Sequence, residues 1–103
     1  MYEVKVNMDG KKIINTLKDF KENNAEKYGI LTLGIFGSVA RNYSLPDSDI
    51  DIVITTVKAD LFLLVHLKDE LEKILNAKID IVRYRKRMNK YLKKHIDEEA
   101  IYV

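Results

Sequence analysis

Two aspartates, Asp49 and Asp51, stand two residues apart in the run Ser48-Asp49-Ile50-Asp51-Ile52-Val53. On an extended strand that spacing points both carboxylates to one face and sends Ile50 and Ile52 to the other. Aspartate is a poor strand former. Two carboxylates about 5–6 Å apart, at an effective dielectric near 20, also repel by about 3 kcal/mol. A sequence that carries both costs in one place calls for a cation there. Two hard oxygen ligands facing a cleft suit Mg²⁺, which takes few protein carboxylates and completes its shell with water and phosphate oxygens. Standing alone, an Asp-x-Asp pair is more often a solvated strand face, but two neighbouring features shift the balance.

The first feature is Gly37-Ser38, at the end of the apolar segment Ile30 to Phe36. Glycine there lets the backbone turn sharply and lets a phosphate come close. A short helix beginning at Ser38 would add free N–H groups that attract an anion, and the Ser38 hydroxyl can supply one more hydrogen bond. Gly-Ser by itself is a plain turn; its weight comes from lying one loop away from Asp49. The second feature is Asp80 in Lys78-Ile79-Asp80-Ile81-Val82, again a carboxylate in an apolar strand. If that strand lies beside the Asp49–Asp51 strand, Asp80 can join as a third acid, holding a metal on the attacking side and accepting the acceptor's proton. A surface position explains Asp80 equally well. Arg41 has the reach for a phosphate, or for an ion pair with Asp47 or Asp49.

Gly37-Ser38-Val39-Ala40-Arg41 followed by Ser48-Asp49-Ile50-Asp51-Ile52-Val53 resembles the signature of the DNA polymerase β-like nucleotidyltransferase superfamily. The chain's small size resembles its minimal nucleotidyltransferase (MNT) family. The resemblance covers nearly the whole chain. It implies a Mg²⁺-dependent enzyme, with two ions, that uses ATP or another NTP. It also implies that Gly37 and Ser38 bind the β- and γ-phosphates, that Asp49 and Asp51 hold the metals, and that Asp80 is the third ligand and the base. One departure is Asn42, where many members have Gly after the Arg; Asn tolerates left-handed backbone, so the turn can survive. Many MNT proteins are antitoxins of HEPN-domain RNase toxins, and some transfer AMP to a toxin Tyr. The resemblance therefore implies a HEPN partner and a protein adenylyltransferase antitoxin. Two other readings stand beside it: neutralisation by binding alone, and transfer to a small molecule with a helper subunit. Aminoglycoside nucleotidyltransferases carry an extra helical domain for the acceptor. A chain of 103 residues has no room for one, so its acceptor must come on another chain; polymerase and CCA-adding activities fail for the same reason.

Elements of a small α/β (α+β) fold must position these groups. Ile13, Ile14, Leu17 and Phe20 recur at helical spacing and predict a first helix from about Gly10 to Ala25, broken at Gly29. Ile30–Phe36 reads as a buried strand, Asn42–Asp47 with Pro46 as a loop, and Ser48–Thr56 as a second strand with Ile50, Ile52 and Ile54 on one face. Asp60 can cap a helix running to about Asn76, with Leu61, Leu64, Val65, Lys68, Leu71, Ile74 and Leu75 as its inner stripe. Lys78–Arg83 reads as a third strand, a final helix is expected from near Lys86, and Ile101–Val103 as a short terminal strand. The order predicts one domain over 1–103: a three- or four-stranded mixed sheet with helices covering one face.

Composition narrows the remaining functions. The chain has no cysteine, which excludes disulfides and thiolate metal sites and makes a reducing cytoplasm the expected setting. Met1 to Gly10 lacks a signal peptide's apolar stretch, and the longest apolar run, Leu61 to Val65, is too short to span a bilayer. A net charge of +2 gives no global argument for nucleic acid. Locally, Arg83, Arg85, Lys86, Arg87, Lys90, Lys93 and Lys94 interleave with Tyr84 and Tyr91. That cluster can meet RNA, the triphosphate or an acidic partner, although a solvated helix face partly paired with Asp97, Glu98 and Glu99 explains it as well, and direct RNA contact is not the favoured reading. His66 and His95 have no companion ligands at metal spacing. Phe62, Leu63 and Leu64 exceed what one helix face buries and suit a partner or dimer surface, although a helix covered on two sides within the fold explains them as well.

Overall fold

A computed structural model describes residues 10–40 and 49–103. Arg41, the loop Asn42–Asp47 and Ser48 lie outside the described residues, as does the start of the chain before Gly10. The element order is α1 (Gly10–Tyr28), β1 (Ile30–Phe36), α2 (Gly37–Ala40), β2 (Ile50–Thr56), α3 (Leu61–Leu75), β3 (Ile79–Arg83), α4 (Lys90–Glu99) and β4 (Ile101–Tyr102). The strands form one mixed sheet in the order β3-β2-β1-β4. β1 runs antiparallel to both β2 and β4, while β2 and β3 are parallel, with α3 as their crossover. This is the α/β architecture expected from the sequence.

α1 buries Ile13, Leu17, Phe20 and Tyr28 and ends where Gly29 takes a left-handed φ of 65°. The Tyr28 ring stacks near Phe20, and its hydroxyl donates to Glu70 of α3. Burial, reinforced by that carboxylate, pushes the Tyr28 phenol up to about 12. Ile50, Ile52 and Ile54 are wholly buried on the sheet face that α1 and α3 cover, with Leu33, Ile35, Leu67 and Leu71. α3 is capped as its sequence suggests: Asp60 accepts from the N–H groups of Phe62 and Leu63 at 3.0 and 3.2 Å, and Asn76 closes the helix at φ 52°. No helix among the described residues is long and apolar enough to cross a membrane.

Three expectations are corrected. The inner stripe of α3 is rotated: Leu67 and Leu71 are buried, with Leu63, Leu64 and Leu75 packed against the core, whereas Leu61, Val65 and Ile74 are exposed. The helices cover both faces of the sheet. On the second face Ile96 of α4 packs with Phe36 and Val53, and Val82, Met88 and Leu92 surround them. Finally, α4 starts at Lys90, because the Asn89 side chain accepts from the N–H groups of Tyr91 and Leu92 at 2.9 and 3.1 Å and fixes the helix start there.

Candidate active site

The alternation of β2 sets the site. Ile50 and Ile52 fall on the α1/α3 face, so Asp51 falls on the opposite face, at the end of the sheet where β1 leads into α2. Asp49 directly precedes the strand; the next N–H, from Ile50, donates to the Lys78 carbonyl at 3.0 Å and ties the start of β2 to the start of β3. Asp49 and Asp51 are half-buried.

The register brings the third acid to the pair. In the parallel β2/β3 ladder Asp51 is the direct partner of Asp80, flanked by Ile50 against Ile79 and Ile52 against Ile81. Neighbouring strands lie about 4.8 Å apart, so Asp51 and Asp80 are adjacent on the same sheet face. Asp80 is exposed and therefore open to an incoming group. The tetrapeptide Ile-Asp-Ile-Val occurs at both 50–53 and 79–82 and pairs residue on residue. Sequence reasoning did not use this signal, which gives the register directly.

Gly37 completes the constellation from β1. Phe36 pairs with Asp51 across the β1/β2 ladder, and the chain then turns through Gly37 at φ 73° into the single turn of α2. That φ is strained for any residue with a Cβ. A Cβ on Gly37 would also run into the Asp51 carboxylate, overlapping Oδ2 and lying 3.2 Å from Cγ. Only glycine fits between this turn and the acid. The short helix expected from Ser38 thus forms, one residue earlier, and its backbone comes close to Asp51. The position of Arg41 lies outside the described residues.

Among the described residues no group of three acidic or imidazole side chains converges closely enough to cage a metal ion. Mg²⁺ does not need such a cage. It is held by one or two carboxylates, with substrate phosphates and water filling the octahedron. The hard oxygens of Asp49, Asp51 and Asp80, with the glycine turn packed directly against Asp51, are a donor set that fits the ion in that manner. The arrangement can hold a cation and a triphosphate on one side and offer an exposed carboxylate to an acceptor on the other.

Comparisons with known proteins give the family. The sequence pattern of the family described as Polymerase beta, Nucleotidyltransferase matches residues 11–103. A Methanocaldococcus jannaschii relative, MJ0128, provisionally named a protein adenylyltransferase, is 38% identical over 97 residues, covering 89% of this chain and 99% of its own length. The protein adenylyltransferase MntA of Thermococcus cleftensis is 28% identical over 92 residues, covering 88% of this chain and 92% of its own. A solved structure provisionally described as a minimal nucleotidyltransferase superposes with a TM-score of 0.69 at 30% identity, over 85% of this chain and 93% of that one. A toxin–antitoxin crystal structure with AMP-PNP has a TM-score of 0.71 at 20% identity, over 85% of this chain and 69% of that one, and shares the fold. Matched over residues 11–103 and by relatives at 30% identity or more, the chain belongs to the polymerase β-type nucleotidyltransferase family, as one of its minimal members, and is a nucleotidyltransferase.

Proposed function

We propose that this chain is a cytoplasmic protein adenylyltransferase and the antitoxin of a HEPN-type toxin. With ATP and Mg²⁺ it transfers AMP to a tyrosine of that partner. The observation that carries the reading is the register of Asp80 against Asp51, beside a turn at Gly37 that tolerates no side chain. Relatives named protein adenylyltransferase support the choice of acceptor class.

Gly37 and Ser38 receive the β- and γ-phosphates at the start of α2, with Arg41 as a further phosphate contact. Asp49 and Asp51, with Asp80, hold the metal. Bound Mg²⁺ supplies charge neutralisation on the triphosphate and polarises the α-phosphate. Asp80, the exposed acid, takes the proton of the acceptor phenol, whose ordinary pKa is about 10. The phenolic oxygen forms a bond to the α-phosphorus, the bond from that phosphorus to the bridging oxygen breaks, and pyrophosphate leaves.

Isotope position tests the reaction class. With the partner protein present, label on the α-phosphate of ATP should move to the partner, and label on the γ-phosphate should leave as pyrophosphate. Transfer of γ-label would make the chain a kinase. Neutralisation of the partner with no label transferred would replace modification by occlusion.

A further inference from the structure

The basic segment has no part in the site described above. From Ile81 to Ile96, seven of sixteen residues are Lys or Arg and none is acidic. Three of the seven are engaged within the fold. Arg83 Nε donates to Thr56 Oγ1 at 3.4 Å, Arg85 Nη1 to the Arg83 carbonyl at 3.1 Å, and Lys93 Nζ pairs with Asp97 at 3.4 Å. Lys86, Arg87, Lys90 and Lys94 are exposed and make no hydrogen bond or ion pair through their side chains with other described residues. A solvated face neutralised by its own acids therefore accounts for Lys93 alone.

Position separates these cations from the triphosphate. β3 starts at the acids and carries the chain away from them, so Arg83 lies about 10 Å along the strand from Asp80. α4 then returns, and its C-terminal end leads into β4, where Ile101 pairs with Ile35 near the end of β1. The acidic end of α4 thus lies toward the nucleotidyl site and the basic end away from it. This charge order opposes the helix dipole at both ends: Lys90 opens the helix, and Asp97, Glu98 and Glu99 close it. Folding stability does not explain that choice.

Tyr91 stands among the unpaired cations, 79% exposed, its phenol without a partner among the described residues. Lys90 and Lys94, four residues apart, are neighbours along the helix surface about 6 Å apart, and Tyr91, three residues before Lys94, is that lysine's neighbour on the adjoining stripe. An open aromatic ring flanked by unpaired cations is the pattern that holds a single strand, phosphates on the cations and a base on the ring. An acidic peptide would use the cations and leave the ring idle.

We propose that Lys86, Arg87, Lys90 and Lys94 with Tyr91 form a binding surface for single-stranded polynucleotide, separate from the nucleotidyl site. Fluorescence anisotropy with a labelled 20-mer oligouridylate, without ATP or Mg²⁺, tests it, and an oligothymidylate arm distinguishes RNA from DNA. Binding should weaken linearly in log–log salt with a slope near −2 to −3, about −0.7 per phosphate contact. Lys90→Gln with Lys94→Gln should reduce the slope by about 1.4. Tyr91→Ala should weaken binding about fivefold or more while Tyr91→Phe keeps it. Circular dichroism melts confirm that each exposed-site variant is folded. Asp49→Asn with Asp51→Asn should bind the strand like wild type, which keeps this result independent of the proposed transfer reaction. The proposal is overturned by absence of binding, by loss of binding in that double aspartate variant, or by an oligoglutamate competing as well as oligouridylate with Tyr91→Ala inert; the last result would assign the surface to an acidic protein.

Discussion

Replacing Gly37 with alanine probes the closest contact in the site. Alanine at φ 73° carries a left-handed backbone penalty of about 1–2 kcal/mol. Its Cβ also overlaps the Asp51 carboxylate, which must rotate away, and an off-rotamer side chain costs about 0.5–1.5 kcal/mol. The expected loss is about 1.5–3.5 kcal/mol, read from urea unfolding as a lower midpoint at unchanged slope. Because the second contribution belongs to Asp51, the loss should shrink to about 1–2 kcal/mol when Asp51 is already alanine. A double-mutant cycle therefore gives a coupling of about 0.5–1.5 kcal/mol. The single Gly37→Ala variant should also bind ATP at least about tenfold more weakly if Asp51 holds the metal as proposed, since that carboxylate has been displaced. A loss below about 0.5 kcal/mol, or equal losses in both Asp51 backgrounds with ATP affinity unchanged, would refute the close packing of turn and acid.

Other consequences can be checked separately. Leu67→Ala should destabilise by about 2–5 kcal/mol, and Val65→Ala, on the exposed side of α3, by no more than about 0.5 kcal/mol; the reverse order in chemical denaturation would restore the stripe predicted from sequence. ATP with Mg²⁺ at about a hundred times its dissociation constant should stabilise the fold by about 2.7 kcal/mol, a rise of about 10–20 °C for a domain of this size. The same thermal-shift series should be flat for Asp49→Asn with Asp51→Asn, and an equal rise there would remove these acids from the nucleotide site. By calorimetry with a non-hydrolysable ATP analogue, Ser38→Ala should lose one hydrogen bond to a charged group, about 1.5–3 kcal/mol, and Gly37→Val should lose more; the opposite order would count against the phosphate cradle.

The acids were legible because isoleucines fix their strand face. Ile50 and Ile52 are wholly buried, so the side on which Asp51 emerges follows from alternation alone. The partnership of Asp51 with Asp80 was open until the register was known, since a parallel pair is joined by a distant crossover rather than a turn; the repeated Ile-Asp-Ile-Val was the clue left in the chain. The rotation of α3 was misread because its sequence is apolar on more than one side. Leu61, Phe62 and Val65 have the composition of a core face yet are exposed, and periodicity cannot choose between two apolar stripes. The side of the sheet that α4 covers was equally hidden. Met88, Leu92 and Ile96 announce an apolar stripe, but its docking on Phe36 and Val53 depends on how the chain returns after β3.

The division of labour among the three acids gives the most direct test of nucleotidyl transfer. Asp80 lies on its own strand, exposed, beside an Asp51 that the glycine turn contacts. Losing Asp80 should therefore cost rate rather than nucleotide affinity. Intact-mass spectrometry of the partner protein, after incubation with ATP, Mg²⁺ and either wild type or Asp80→Asn, reads the outcome in one measurement. The account predicts a mass increase of one or more AMP units with wild type and none with Asp80→Asn, although that variant still binds ATP. No increase with wild type, or full transfer by Asp80→Asn, would contradict it.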